Sequence, residues 1–326
     1  MKTKVYSYRF AEEIFEHSNL KILKEEVYNV CNSCPAFMFT GKSENQTTKD
    51  VVQQLLNQYI KQKLVSQNWK PEPYITSDSV EDSLRSDFFK EISCTTEGEP
   101  AVKYKVQIEV EFGNAASYYR DLFKFQRAFT NDEADVCILI LPSGHLAGRI
   151  DSGLADYEKA IRELPDCKLS TTVPILVIGL FDDESDFDVK PYFYDSELVK
   201  KTSTNCVILR DRFLSSYIQK ESVPETHLLK ITKAYYEAFT KASDECQNLQ
   251  KQINTTEKNI ARVQRKIETQ ERNFLKSKTE KRKNTISQTI KNLNSEILTL
   301  RETIATLNKE LETANEKYHN PIIENE

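Results

Sequence analysis

Two long heptad repeats in the last third of the sequence constrain the fold more than any other feature. From about residue 228 to 318 there is no glycine and no proline, and apolar residues recur at alternating steps of four and three. One repeat runs from Ala242 to Phe274 and the other from Ile286 to Tyr318, each 33 residues long. This spacing is typical of the buried seam of a coiled coil.

The two repeats are out of register with each other, and this favours a hairpin. If Phe274 is an a position, Ile286 falls at f, whereas its own repeat needs it at d. A chain that folds back near Glu280 pairs Phe274 with Ile286. Its other end then pairs Ala242 with Tyr318, which gives an antiparallel arm roughly 50 Å long at about 1.5 Å per residue. The alternative is one long helix with a register break that dimerises in parallel.

The turn of such a hairpin would be strongly basic. We name residues 276–283 the basic tip, because five cations fall within these eight residues: Lys276, Lys278, Lys281, Arg282 and Lys283. Two hypotheses remain open for the arm. It is either a structural element that stabilises a dimer, or a contact to DNA phosphates that steepens the salt dependence of binding.

The charge of the chain is divided between its two sections. Residues 241–320 contain 16 Lys and Arg against 11 Asp and Glu, whereas residues 1–240 contain 29 against 37, and the whole chain has a net charge of -5. A protein that coats nucleic acid without specificity should be basic overall, so the composition argues against that class. A local DNA-binding cleft or a carboxylate site for a metal is still allowed.

Several features predict a cytoplasmic protein with no membrane partner. No run of 18 apolar residues is present, so we expect no spanning helix. The amino terminus lacks the apolar stretch of a secretory signal. The 7 cysteines are odd in number and scattered, which suits reduced thiols better than disulfides.

Strand and helix patterns alternate in the first part of the chain. Residues 104–112 (YKVQIEVEF) alternate as a strand, and the apolar runs 134–142 and 173–181 are typical of buried strands. Helical patterns cover 50–67, 115–129 and 154–164. Asp50 is a candidate N-cap for the first of them. Together these patterns predict a mixed sheet with helices on both faces.

A pair of acidic residues ends the alternating strand. Glu109 and Glu111 are two residues apart, so their side chains lie on the same face of a strand. An exposed strand face would explain them equally well, but the apolar neighbours Ile108 and Phe112 favour a buried pair that needs a cation or a proton. If residues 91–103 form an insertion at a hairpin, Asp87 returns beside Glu109. Three carboxylates would suit a hard cation such as Mg²⁺ and metal-assisted phosphodiester chemistry.

These residues also carry a family resemblance. The segments DFFK, VQIEVEFGNAASYYRDLFKFQ, DVCILILPSGHLAGRIDSGLADYEKAIREL and VPILVIGLF resemble type II restriction endonucleases of the BglII and BstYI kind. These enzymes belong to the PD-(D/E)xK nuclease superfamily, and the resemblance covers roughly residues 1–182. It implies that Asp87 and Glu109 ligate Mg²⁺ together with the backbone carbonyl of Val110. Glu111 would then orient or deprotonate the attacking water.

The sequence departs from the pattern of its near relatives in two ways. Glu111 stands where they often have Gln, and Glu at this position is the BamHI-like variant. The separation of Asp87 from Glu109 is also longer than usual, which the insertion at 91–103 explains. Because of that insertion, Glu97 and Glu99 are alternatives to Asp87 as the first ligand.

The resemblance also implies which segments face DNA. The turn before the 115–129 helix, the exposed positions of that helix and the loop after the strand 134–142 would meet the major groove. The candidates are Asn114, Ser117, Tyr118, Arg120, Lys124, Ser143 and His145. Asn can read adenine and Arg can read guanine through paired hydrogen bonds, while Lys124 is expected near a phosphate. A surface ion pair with Asp121 would explain Arg120 equally well.

Taken together, the sequence predicts a type II restriction endonuclease with an added arm. We expect an α/β nuclease domain at residues 1–227, with a PD-(D/E)xK-like mixed sheet flanked by helices. Residues 228–326 would form the antiparallel coiled-coil hairpin. The expected partners are Mg²⁺, double-stranded DNA and a second copy of the chain, with a cognate DNA methyltransferase paired in function. The alternatives are an inactive DNA-binding or scaffold protein with a nuclease-like fold, or a coiled-coil interaction protein.

Overall fold

A six-stranded mixed sheet forms the centre of the first part of the chain in a computed structural model. The structure describes residues 1–17, 19–43, 45–75, 84–94, 101–182, 185–219 and 228–321. They belong to two units, Met1–Lys230 and Ile231–Glu326, which we describe separately. Within the described ranges, no helix is both long enough and apolar enough to cross a membrane.

The main sheet combines a parallel centre with antiparallel edges. The strands are β1 (Lys2–Tyr8), β2 (Ala36–Met38), β3 (Lys70–Pro71), β4 (Phe88–Cys94), β5 (Val102–Val110), β6 (Val136–Pro142), β7 (Ile175–Phe181) and β8 (Asp186–Asp188). Their order in the main sheet is β1-β7-β6-β5-β4-β3. Strands β5, β6 and β7 run parallel, while β1 and β4 are antiparallel to their neighbours, and β2 pairs with β8 in a separate parallel sheet.

The parallel strands β6 and β7 confirm the apolar runs predicted at 134–142 and 173–181. Every residue of β6 is buried, as expected for a parallel strand covered on both faces. The neighbouring β7 contains Gly179, where a Cβ atom would lie only 2.6 Å from the ring of Tyr157. Glycine therefore allows the helix that carries Tyr157 to approach the sheet closely.

Helices flank the main sheet. They are α1 (Ala11–Phe15), α2 (Lys21–Ser33), α3 (Gln53–Ser66), α4 (Ala115–Thr130), α5 (Gly144–Ile150), α6 (Tyr157–Glu163), α7 (Ser196–Lys200) and α8 (Thr204–Ile218). The mixed α/β class and the helix predicted at 115–129 are confirmed. The predicted start of α3 is wrong: its N-cap is Val52, and the Asp50 carboxylate instead binds Arg149 at 2.9 and 3.0 Å.

The second unit is a helical hairpin. Its helices, α9 (Lys233–Lys276) and α10 (Glu280–His319), are joined by residues 277–279, so the predicted fold-back near Glu280 is confirmed. The alternative of one continuous helix is wrong. A narrow seam holds the two helices together, and its buried residues include Leu249, Ile253, Val263, Ile286, Ile297, Leu307 and Ala314.

The ends of the hairpin show how the helices pair. Near the base, the ring of Tyr318 lies 5.0 Å from that of Phe239, three residues before the predicted partner Ala242. Cys246 Sγ donates a hydrogen bond to Asn315 Oδ1 at 3.4 Å. Near the turn, Lys283 Nζ lies 5.7 Å from the centre of the Phe274 ring.

Candidate active site

The hairpin of β4 and β5 brings two of the predicted site residues together. Phe88 pairs with Ile108 in the antiparallel ladder. The next two residues, Asp87 and Glu109, therefore lie opposite each other at this end of the hairpin. Asp87 Oδ2 accepts a hydrogen bond from the backbone N–H of Val110 at 2.8 Å. Burial raises the pKa of Asp87, and this hydrogen bond partly opposes the effect.

Glu109 is a buried carboxylate with one oxygen satisfied and one not. Its side chain is 1% exposed, and Oε2 accepts a hydrogen bond from Lys124 Nζ at 2.7 Å. Within the part of the chain that the structure describes, Oε1 has no hydrogen-bond partner. Burial, together with the negative charges of Asp87 and Asp121, raises the pKa of Glu109 to about 9. Glu109 therefore lies where an added positive charge would be strongly favourable.

Glu111 lies just past the end of β5, where its backbone N–H still bonds to Ile140 O at 3.0 Å. Its carboxylate accepts a hydrogen bond from the backbone N–H of Gly113. Burial and the nearby charge of Asp121 raise the pKa of Glu111 to about 7. A carboxyl group with this pKa can exchange a proton near neutral pH.

Helix α4 supplies the fourth acid and the only ammonium that contacts these carboxylates among the described residues. Asp121 is 2% exposed, and its Oδ1 lies 2.8 Å from Lys124 Nζ. Burial alone would lower the pKa of Lys124, but the carboxylates of Glu109 and Asp121 outweigh it and raise the pKa. The four acids thus have one ammonium, which contacts two of them, so the cluster has an excess of negative charge when all are ionised.

A cleft of about 260 Å³ opens next to this carboxylate cluster (Asp87, Glu109, Glu111 and Asp121). Asp87, Phe88 and Val110 form one side of it. The rest of its lining is Asn57, Gln58, Lys61 and Glu72. The side-chain oxygen of Asn57 is buried and lacks a hydrogen-bond partner within the described ranges.

Four of the predicted DNA contacts are accessible. Asn114 is exposed and caps α4, because its side chain accepts a hydrogen bond from Ala116 N at 2.8 Å. Ser117 is half-buried and Arg120 is exposed on the same helix. The side chain of His145 is 78% exposed, with Nδ1 lying 2.9 Å from Asp182 Oδ1.

The other three predicted DNA contacts need correction, because their side chains are buried. Tyr118 is 0% exposed and packs in the core under α4. Ser143 is 2% exposed, and its hydroxyl caps α5 by accepting a hydrogen bond from Leu146 N. Lys124 was expected near a phosphate, but its ammonium is held inside the protein by Glu109 and Asp121.

Comparison with known families decides what kind of protein this is. Residues 3–180 match the family described as Restriction endonuclease BglII/BglIII. The chain belongs to this family. It is therefore a type II restriction endonuclease, a class of hydrolase that cuts DNA at defined sites. Both α9 and α10 lie beyond the matched residues.

Two solved structures are similar to part of the chain. The crystal structure of restriction endonuclease BglII complexed with a DNA 16-mer is 21% identical, covers 56% of this chain and 79% of that chain, and has a TM-score of 0.45. The crystal structure of free BglII is 20% identical, covers 56% and 81%, and has a TM-score of 0.34. No curated protein matches the chain.

Enzymes of the BglII family use divalent metal ions, and the donor set here suits such an ion chemically. All the candidate donors are oxygens, as Mg²⁺ prefers, and the unpaired Glu109 Oε1 lies among them. No three Asp, Glu, His or Cys side chains of the described residues are already arranged as a set of ligands. Glu97 and Glu99, the alternative ligands to Asp87, lie outside the described residues.

Sequence reasoning missed two members of this site. Asn57 lies 30 residues before Asp87 on a separate helix, and no local pattern marks it. Asp121 carries a weak signal, since it lies three residues before Lys124 on the helix that follows the Glu109–Glu111 strand end. From the sequence alone, a surface ion pair between Asp121 and Arg120 was as good an explanation as a DNA role, and only the folded structure shows that Asp121 is buried.

Proposed function

We propose that this protein hydrolyses phosphodiester bonds of double-stranded DNA at a specific sequence with Mg²⁺ as its cofactor. The observation that carries the proposal is the buried carboxylate cluster, with its excess of negative charge, beside the open cleft. Such an arrangement is costly to fold with every acid ionised unless the site binds a cation, because otherwise the acids must hold protons, as the raised pKa values of Glu109 and Glu111 reflect. Membership of the BglII family supplies DNA as the substrate.

Each residue of the cluster has a proposed role. The Asp87 and Glu109 carboxylates and the Val110 carbonyl would hold the Mg²⁺ ion, which when bound stabilises the negative charge that develops on the phosphate. Glu111 would orient the attacking water and accept its proton, a role that suits a pKa of about 7. Lys124 supplies a fixed positive charge that stabilises the ionised form of Glu109.

We further propose that the accessible polar residues around α4 and α5 read the DNA sequence. Asn114 and Arg120 offer the side chains that pair with adenine and guanine in the major groove. Ser117 and His145 would add hydrogen bonds at the same surface. Since α4 also carries Asp121 and Lys124, correct base contacts at its start would be linked to the position of the cluster.

The proposed assembly follows from cutting two strands. Two copies of the chain, one for each strand, would act as a homodimer in the cytoplasm, with a cognate DNA methyltransferase protecting the host sites. Residues 1–227 would form the nuclease domain and residues 228–326 an arm that is not part of the cleavage site. Sedimentation of the purified protein with and without duplex DNA tests the homodimer.

The cleavage activity is tested with duplex DNA incubated with and without Mg²⁺. We expect discrete fragments from the wild-type protein only when Mg²⁺ is present. Glu109→Gln removes a charged ligand and should lower the rate by more than about 100-fold, since losing even an outer partner of a metal ligand costs 10–100-fold. Sequencing of the fragment ends would identify the recognition site.

Glu91→Gln is the matched control, because Glu91 is an exposed acid on β4 whose ion pair with Lys103 lies outside the cluster. It should cut at the wild-type rate. Mg²⁺ should also raise the melting temperature of the wild type and of Glu91→Gln, but not of Glu109→Gln. Binding of DNA without cleavage under every divalent metal would contradict the proposal and support the inactive scaffold.

A further inference from the structure

Positive charge is concentrated at one end of the helical hairpin. Residues 262–291, which we name the distal segment, contain ten Lys and Arg against three Glu, a net charge of +7. The rest of the two helices, residues 233–261 and 292–319, contains seven Lys and Arg against nine Asp and Glu. The charge is therefore not a general property of a polar coiled coil. It is confined to the turn and the adjacent helical turns.

The cations of the distal segment are exposed and mostly unpaired. Nine of the ten are exposed and Lys283 is half-buried. In the described part of the chain the only ion pair involving them joins Arg272 to Glu268, at 4.0 Å. The basic tip itself contains a single acid, Glu280, against five cations. Like charges this close repel one another. Lys281, Arg282 and Lys283 also lie in the first turn of α10, where a positive charge is unfavourable.

The hairpin does not need these cations in order to form. Its helices are held near the turn by apolar residues such as Val263 and Ile286, which are buried. Helix α9 has 44 residues, so the turn lies roughly 60–70 Å from the start of that helix at about 1.5 Å per residue. An unneutralised basic surface at the end of a long, stiff support is suited to an extended polyanion.

We propose that the basic tip and the distal segment bind the phosphate backbone of duplex DNA outside the recognition sequence. The inference rests on the proposed function only in taking DNA as the substrate. Lysine and arginine neutralise phosphates and release counterions, which provides affinity without reading sequence. The arm would thereby hold the enzyme on flanking DNA, while the nuclease unit makes the sequence-specific contacts.

The test is a charge-removing variant of the full-length protein. Lys276, Lys278, Lys281 and Arg282 are changed together to Gln, and binding to a 60-base-pair duplex of arbitrary sequence is measured in EDTA at increasing KCl. The slope of log K against log[KCl] should become shallower by about 0.9 for each phosphate contact removed, or up to about 3.6 for all four. The affinity loss should be largest at low salt and should disappear as salt rises.

A matched control removes the same charge from the base of the arm. Lys241, Lys251, Lys258 and Lys309 are exposed lysines outside the distal segment, and changing all four to Gln should leave slope and affinity as in the wild type. Equal effects of the two variants would mean that only the overall charge matters, and would overturn the proposal. So would a basic-tip variant that binds DNA normally but no longer binds vesicles of anionic lipid. Circular dichroism verifies that both variants remain helical.

Cleavage assays separate this inference from the proposed nuclease activity. If the wild type cuts DNA but the basic-tip variant has the wild-type salt slope, the inference fails and the nuclease proposal stands. If the basic-tip variant loses salt-dependent affinity but the wild type never cuts, the arm binds DNA and the nuclease proposal fails.

Discussion

Glu111 shows how its proposed catalytic role conflicts with the stability of the fold. Its carboxylate is buried beside Asp121, which raises its pKa to about 7 from an ordinary value of 4.5. A group whose pKa is raised in the folded state binds its proton more tightly there than in the unfolded chain. The contribution of Glu111 to the free energy of unfolding is therefore fully present below about pH 4.5. It is lost as the pH rises through about 7, and it stays absent above that pH.

We therefore expect Glu111→Gln to stabilise the protein while abolishing cleavage. Gln keeps an oxygen for the Gly113 N–H and can donate to Asp121, but it cannot ionise. At pH 8 without metal the free energy of unfolding should rise by about 1–2 kcal/mol, after allowance for solvent screening of a partly open site. At pH 5 the gain should be much smaller. Urea denaturation at both pH values measures the difference.

Two comparisons make the Glu111 result specific. Glu91→Gln, at an exposed acid on the neighbouring strand, should change stability by less than about 0.5 kcal/mol at either pH. Excess Mg²⁺ should stabilise the wild type at pH 8. It should also narrow the stability gap to Glu111→Gln, because a bound cation favours the ionised form of Glu111 and Gln cannot ionise. An equal gain at pH 5 and pH 8 would show that ionisation of Glu111 is not the cause.

The residues of the site divide by how local their signal is. Glu109 and Glu111 form a local pattern at the end of one strand, and Asp87 follows once the hairpin is recognised. The sequence predicts that Lys124 binds a phosphate, whereas its ammonium donates a hydrogen bond to Glu109. That contact depends on how α4 packs on β5, which no local pattern shows. A burial pattern at helical spacing could have identified Tyr118 as a core residue. Asn57 depends on the docking of α3 and had no local signal.

At the scale of elements, the close approach of α6 to β7 depends on Gly179. A Cβ at this position would lie 2.6 Å from Cγ and Cδ2 of Tyr157. We expect Gly179→Ala to destabilise the protein by about 1–3 kcal/mol, the usual effect of adding an atom to a well-packed core. Gly148→Ala in α5 is the control: no atom lies within 4 Å of its added Cβ, and alanine favours a helix.

Urea denaturation of both glycine variants shows whether the destabilisation comes from the clash with Tyr157 or from replacing glycine with alanine in general. The midpoint for Gly179→Ala should fall, with an unchanged slope, while that for Gly148→Ala should stay level or rise. Equal midpoints for the two variants would mean that α6 can shift away from β7 without loss.

Elements with a continuous or periodic apolar pattern were predictable, but the first residues of several of them were not. β6 and β7 begin two residues later than the apolar runs, because Ala134 and Val173 are buried before the ladder starts. The start of α3 was misjudged, since an Asp before an apolar stretch signals an N-cap only when no stronger partner is present. Arg149, 99 residues away, provides that partner for Asp50.

At the scale of the whole molecule, the chain combines a BglII-family nuclease section with an arm beyond the family match. The composition shift and the register of the two heptad repeats were enough to predict the hairpin, because coiled-coil pairing is set by local spacing. The heptad spacing does not indicate what the arm binds. The positive charge of the distal segment is the feature that indicates a ligand.

A chain that ends at Lys230 tests this division of labour. Because every residue of the proposed site belongs to the unit Met1–Lys230, the shortened protein should retain Mg²⁺-dependent cleavage at the same positions as the full chain. With enzyme below saturation, its rate should be lowest relative to the full chain in low salt, and the two rates should converge as KCl rises. This order follows because phosphate contacts contribute most at low ionic strength.

Thermal unfolding of the shortened chain shows whether it is folded before its activity is compared. A folded but wholly inactive protein at every salt concentration would mean that the arm is required for the active assembly itself, for example by joining two copies. The division into a cutting unit and a DNA-holding arm would then be wrong, and sedimentation of both proteins would show whether a dimer had been lost. A shortened chain with the full salt slope would instead place all phosphate contacts in the first unit.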